Sequence, residues 1–80
     1  MKYVVVLGGG LDQVPLIHEI HKAGLRSIVV DKDRACAGAE LCHVFICVSN
    51  RDAVSIADEI IAMDLRSQVI TVMVIGSDVP

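Results

Sequence analysis

The feature that most constrains the fold is an apolar run followed by three glycines and then an amphipathic segment. Tyr3–Leu7 is apolar throughout and too short for a buried helix, and Gly8, Gly9 and Gly10 follow it directly. Apolar residues then recur at helical spacing across residues 14–23. This order predicts a buried strand, a tight turn and a helix, as found in parallel sheets that are covered on both faces.

Three further apolar runs, at residues 27–30, 44–48 and 69–75, predict three more strands. Strands that alternate with helical segments form βαβ units with right-handed crossovers. We therefore expect residues 1–80 to form a single α/β domain with a Rossmann-like, open parallel sheet. The expected strand order is 3-2-1-4, with helices on both faces. Ligands of such sheets bind beyond the carboxyl ends of the strands, where the order reverses.

Capping residues predict where the helices begin and end. Asp12 is expected to be the N-cap of the first helix, Pro15 to lie in its first turn, and Gly24 to end it with a positive φ. The second helix is expected to follow N-cap candidates at residues 49–52 and to run to about Met63. Its predicted inward-facing residues are Val54, Ala57, Ile60 and Ile61.

The charge balance limits the classes of partner. The chain has 10 acidic and 7 basic residues, a net charge of −3, and the basic residues are scattered. Nucleic-acid backbones require clustered Lys and Arg, so nucleic acid is not an expected partner. No apolar run approaches the roughly 18–20 residues of a membrane span, and the N-terminus lacks a signal-peptide pattern. We expect a cytoplasmic protein that does not act at a membrane.

The three cysteines predict neither disulfides nor a metal site. They are odd in number, and reduced thiols fit a cytoplasmic location. Cys47 is expected to be a small buried residue of the third strand. The spacing of Cys36, Cys42, His43 and Cys47 matches no closed zinc motif.

The glycine turn matches the dinucleotide-binding pattern only in part. Gln13 stands where the third glycine should be, and Asp12 places a carboxylate where a pyrophosphate would lie. Asp31 does follow about 20 residues later, where it could accept a ribose hydroxyl. A Walker-type phosphate loop is excluded because no Gly-Lys-Ser/Thr follows the glycines. A turn without ligand contact stays an alternative, and the favoured expectation is a pocket for an anionic or nucleotide-like small molecule other than NAD(P).

Three loops are expected to meet at the carboxyl edge of the sheet, at residues 8–13, 31–34 and 76–78. Asp31, Asp33 and Asp78 would then bring three carboxylates to one cleft, with turn capping as their alternative role. No residue is predicted to be catalytic, since no Ser, Cys or Lys has an evident base beside it. His18 and His21 also lack the His-Glu-x-x-His spacing of zinc proteases.

The chain resembles the N-terminal domain that precedes the ATP-grasp lobes in the ATP-grasp carboxylate–amine/thiol ligase superfamily. The resemblance spans nearly all 80 residues and rests on the order of four segments, residues 6–17, 29–33, 37–42 and 74–78. Relatives often have Pro where Arg34 stands and Ala-Asp where Cys42 and His43 stand.

The resemblance implies a substrate-side domain that is not catalytic alone and is a fragment of a longer ligase. The parent would bind ATP and Mg in its remaining lobes, and no cofactor is expected in this part. The residues that the resemblance assigns to the acceptor substrate are Gly8, Gly9, Gly10, Gln13, Asp31 and Asp78.

Two other classes of function stay open. One is a small Rossmann-type module that senses or binds NAD or ATP, with Asp31 as its acidic residue. The other is a structural role in dimerisation. Hydrophobic residues make up 54% of the chain, so apolar surface is expected to be covered by a partner or by more of the same chain. We therefore also expect a homo-oligomer.

Overall fold

The structure, a computed structural model, describes residues 1–73. Four strands form one parallel sheet in the order β3-β2-β1-β4, which confirms the predicted α/β architecture. The strands are β1 (Tyr3–Leu7), β2 (Arg26–Val30), β3 (Val44–Ile46) and β4 (Val69–Met73). The helices are α1 (Val14–Lys22) and α2 (Ala53–Ala62), with 3₁₀ turns at Leu11–Gln13, Ala37–Glu40 and Arg66–Gln68.

The alternation of side chains along β1 builds a separate core on each face of the sheet. Val4 and Val6 pack with Ile17 and Ile20 of α1. Val5 points to the opposite face, where the cluster includes Ile28, Val30 and Ile56 of α2. Because both faces of β1 are buried, its sequence is apolar without interruption. The prediction of helices on both faces is confirmed.

The start of α1 differs from the prediction. Asp12 is not the N-cap; it is exposed and lies inside the preceding 3₁₀ turn, and Gln13 takes the N-cap position without a side-chain capping bond. The amide of Gln13 donates to the Gly10 carbonyl at 2.9 Å, so the turn itself satisfies a backbone donor near the helix start. The predicted end of α1 is confirmed, since Gly24 has φ +80 and follows the helix as its left-handed cap.

The start of α2 is capped by Asp52, one of the predicted candidates. Its Oδ1 accepts the backbone N–H of Ser55 at 3.1 Å, and the Ser55 hydroxyl donates to Oδ2 at 2.7 Å. The predicted inward face is wrong in part, because Val54 is 72% exposed and Ile61 is 55% exposed. Ile56 is the buried residue of α2, and Val54 lies about 200° away from it around the helix axis.

The sheet is covered less well at β4 than at its centre. Ile70 and Val72 are 50% and 56% exposed, and β4 is an edge strand that pairs with β1 alone among the described residues. An apolar groove of about 430 Å³ lies between α2 and β4, with Ile60, Ile61 and Val72 in its walls. An uncovered apolar surface of this kind is typical of a face that packs against another part of a protein.

β3 is shorter than predicted. It ends at Ile46, so Cys47 lies beyond the strand and is only half-buried, with its thiol donating to the Lys32 carbonyl at 3.5 Å. The predicted fourth strand reached residue 75, and its last two residues lie outside the described part of the chain. In residues 1–73, neither helix has the length and apolar character needed to span a membrane.

Candidate functional site at the carboxyl edge of the sheet

The glycine bend, residues 8–10, is hydrogen-bonded directly to the end of β2. The amide of Gly8 donates to the Val30 carbonyl at 2.7 Å, and the amide of Gly9 donates to Asp31 Oδ2 at 2.9 Å. The other Asp31 oxygen accepts the amide of Asp33 at 2.9 Å. Asp31 therefore holds two predicted site loops together, and its carboxylate orientation is fixed from both sides.

Gly9 is required by packing inside the protein. It is buried, and a Cβ at this position would lie 2.7 Å from Cys36 Sγ and 2.8 Å from Val29 Cγ1. The amide of Gly38 also donates to the Gly9 carbonyl at 2.7 Å. The 3₁₀ turn that contains Gly38 thus packs onto the glycine bend, and the close approach of Cys36 and Val29 explains why residue 9 has no side chain.

Gly8 is required by its backbone and faces two side-chain amides. Its φ is +96, a region that L-residues rarely adopt. A Cβ here would lie 3.5 Å from Asn50 Nδ2 and 3.7 Å from Gln13 Nε2. Gln13 is only 5% exposed. Gly10 has ordinary extended angles, φ −68 and ψ 175, so its backbone does not require glycine.

A polar cavity of about 300 Å³ opens beside this bend, between the ends of β2 and β3. Its wall is formed by Asp31, Lys32, Ser49, Asn50 and Arg51. All five residues are polar, and two of them are cationic. Sequence reasoning identified only Asp31 as a site residue. The polar sequence after the third apolar run predicts helix capping, although a loop there must also emerge at the same sheet edge.

The predicted site is thus assembled in part. Gly8, Gly9, Gln13 and Asp31 come together at the bend, and Gly10 lies next to them in the chain. Asp78, with the rest of the predicted loop 76–78, lies outside the described residues.

A second polar cluster lies near the start of β2, away from the cavity. His21 Nε2 is hydrogen-bonded to Ser27 Oγ at 2.8 Å, and the Ser27 amide donates to His43 Nδ1 at 3.2 Å. The two imidazole rings meet edge to face with centroids 4.6 Å apart. Burial lowers the pKa of His21, and the nearby His43 and His18 lower it further. The Ser27 side chain is fully buried, so this cluster joins α1, β2 and the segment before β3.

Two of the three thiols, those of Cys36 and Cys42, are not activated as nucleophiles. Burial raises the pKa of Cys36 and that of Cys42, which disfavours the reactive thiolate form. Within residues 1–73, His, Cys, Asp and Glu side chains form no group of three or more that would hold a metal ion.

Comparison with known proteins gives no match: no family model, no curated protein and no solved structure is significantly similar to the chain. The fold and the site geometry are therefore the basis for assigning a function.

Proposed function

We propose that the chain is the N-terminal, substrate-side domain of an ATP-dependent carboxylate–amine ligase of the ATP-grasp type. The observation that carries this proposal is the polar cavity beside the glycine bend. Asp31 links that bend to the end of β2. The cavity lies at the carboxyl edge of an open parallel sheet, where ligands of such sheets bind. The four segments that resemble the ligase superfamily include Gly8, Gln13 and Asp31, which lie at this edge.

The chemistry of the cavity favours a small charged ligand. Its wall contains neither an aromatic nor an aliphatic residue, whereas nucleobases are generally held by apolar or aromatic faces. A volume of about 300 Å³ is also at the lower limit of typical ligand pockets. An acceptor substrate that carries carboxylate, amine or hydroxyl groups fits this wall better than a dinucleotide does.

In this proposal each site residue holds substrate or shapes the loop that does so. Gly8 lets the chain turn beside the cavity, Gln13 and Asn50 supply amides at the bend, and Asp31 presents a fixed acceptor. We assign ATP and Mg to the remaining lobes of a longer parent, because a metal–nucleotide site needs a set of carboxylates that residues 1–73 do not bring together. Catalysis by this chain alone is not expected.

A second candidate is a small module that binds NAD or ATP. It is favoured by Asp31, which directly follows β2, lines the cavity and is positioned to accept a ribose hydroxyl. Both of its oxygens already accept a backbone N–H, although a carboxylate keeps further acceptor sites. Two features favour the ligase proposal over this one. The third glycine of the dinucleotide pattern is absent, and the cavity wall is polar.

Titration of the purified chain with NADH, ATP and ADP, followed by calorimetry, separates the two candidates. The ligase proposal expects no saturable nucleotide binding, because it places ATP elsewhere. Saturable binding of NADH at micromolar concentration would overturn it. A parent gene that continues beyond Pro80 into a glycine-rich lid and metal-binding carboxylates would support it, and a stop codon directly after Pro80 would count heavily against it.

The groove between α2 and β4 is the surface on which we propose that the remaining lobes pack. In the isolated chain we propose that the same face mediates homo-oligomer formation, since Val72 lies in the groove wall and is 56% exposed. The three free cysteines agree with the cytoplasmic location that we propose.

A further inference from the structure

We propose that the polar cavity binds an amino dicarboxylic acid of about the size of aspartate. The inference rests on the proposed function and names the class of its substrate. What carries it is the juxtaposition, in one cavity, of two cations from different loops with one fixed carboxylate. Lys32 follows β2, Arg51 follows β3, and Asp31 lies in the same wall.

The two cations are available to a ligand. Across residues 1–73 the one ion pair is that between Lys22 and Glu19 on α1, with an N–O distance of 3.2 Å. Lys32 and Arg51 are both exposed and have no acidic partner in that part of the chain. Two unpaired cations beside one cavity favour ligands with anionic groups.

Within residues 1–73, the neighbouring carboxylates of Asp33 and Asp52 form no ion pair with these cations. Asp33 Oδ1 accepts the amide of Ala35 at 2.9 Å, and Asp52 is bonded to the amide and hydroxyl of Ser55. The hydrogen bonds from Ser55 lower the pKa of Asp52. Asp33 stabilises a local turn, Asp52 caps α2, and neither lines the cavity.

The charges of the wall define the complementary ligand. Lys32 and Arg51 match two anionic groups, and the fixed Asp31 carboxylate matches one ammonium group. Carboxylates are preferred partners of Arg, which binds them with two parallel hydrogen bonds. Ser49 and Asn50 add neutral donors and acceptors. A molecule with two carboxylates and one amine satisfies all three charged residues.

The volume of the cavity agrees with this class. Water takes about 30 Å³ per molecule in the liquid, so a cavity of about 300 Å³ holds roughly ten non-hydrogen atoms. L-aspartate and L-glutamate are of that size. A nucleotide would extend well beyond the wall.

The test is a titration of the ¹⁵N-labelled chain with three matched probes. Amide chemical shifts are measured at each step of the titration. L-aspartate carries both carboxylates and the amine, succinate lacks the amine, and β-alanine lacks the α-carboxylate. We expect aspartate to bind at least tenfold more tightly than either of the others. The shifted amides should be those of residues 31–32 and 49–51.

Charge-matched variants identify the cavity. Arg51→Gln and Lys32→Gln are each expected to weaken aspartate binding at least fivefold. Arg34→Gln removes the same charge from the loop after β2, does not line the cavity, and should leave the affinity unchanged. Preserved dispersion of the amide spectrum shows that each variant is folded. Equal weakening by Arg34→Gln and Arg51→Gln would mean a general charge effect and overturn the assignment.

The remaining outcomes separate this inference from the proposed function. Binding of succinate as tight as that of aspartate, or no binding of aspartate, would overturn the amino dicarboxylate class while the ligase proposal stands. Saturable binding of NADH with shifts at the cavity residues would overturn the ligase proposal itself.

Discussion

The backbone amide of Gly9 donates a 2.9 Å hydrogen bond to Asp31 Oδ2, across a separation of 22 residues. This bond ties the turn after β1 to the end of β2, and the Gly9 carbonyl accepts the amide of Gly38 on its other side. The glycine bend is thus held by protein groups from two later segments. A bend held in this way is ordered without a ligand, and for the binding that we propose this lowers the entropic cost.

Asp31→Asn should destabilise the fold. The amide side chain keeps one acceptor oxygen in place of two charged ones, so one of the bonds to Gly9 and Asp33 is lost and the other weakens. We expect the free energy of unfolding to fall by about 1–3 kcal/mol, measured by urea titration. Asp33→Asn is the matched control, because Asp33 accepts one local bond from Ala35, and it should cost less than about 1 kcal/mol. Equal losses for the two variants would contradict a long-range role for Asp31.

Three alanine variants test the glycines separately. Gly9→Ala places a methyl group 2.7 Å from Cys36 Sγ and 2.8 Å from Val29 Cγ1, and we expect a loss of about 1–3 kcal/mol from overpacking. Gly8→Ala is strained because of its φ of +96, with an expected loss of about 1 kcal/mol. Gly10→Ala meets only the flexible Asp12 side chain, at 3.1 Å, and should change stability little. A Gly10→Ala loss as large as that of Gly9→Ala would refute this division of roles.

The polar cluster of His21, Ser27 and His43 predicts that the free energy of unfolding decreases in mild acid. Burial, with the neighbouring His43 and His18, lowers the pKa of His21 in the folded state. The unfolded chain therefore takes up a proton at about pH 6.5, where folded His21 is still neutral. Stability is complete above that pH and decreases as the pH falls through the lower folded pKa. Urea midpoints at pH 7.5 and 5.5 measure the decline, and His21→Gln should reduce it. An unchanged decline in that variant would exclude His21 as its source.

The exposed face of β4 predicts self-association. Val72→Lys places a charge beside the groove, at a residue that is 56% exposed, and should shift the chain toward monomer. Val54→Lys makes the same change on the outer side of α2, where Val54 is 72% exposed, and should have little effect. Sedimentation velocity over a range of concentrations measures both. A wild-type chain that stays monomeric at high concentration would contradict the prediction.

Sequence patterns were sufficient to predict those strands and helices whose conformation depends on residues close to one another in the chain. The apolar runs of β1 and β2 and the helical spacing of Ile17 and Ile20 predicted these elements, and the alternation of strands with helices predicted the parallel sheet. The end of α1 followed from Gly24, because a positive φ there needs no tertiary partner. Asp12 was assigned wrongly as a cap, since the 3₁₀ turn before α1 offers an alternative bond for the backbone.

The sequence by itself determined the α/β class and the alternation of strands with helices, because apolar periodicity acts locally, and the predicted strand order is confirmed. Only the tertiary structure decided which groups each candidate site residue contacts. Gly9 reads as a ligand-binding glycine until Cys36 and Gly38 fold onto it, and Arg51 reads as a helix-flanking residue until its loop meets Lys32 across the cavity. Those roles arise from contacts between segments that are remote in the chain, and no local pattern encodes which of them will touch.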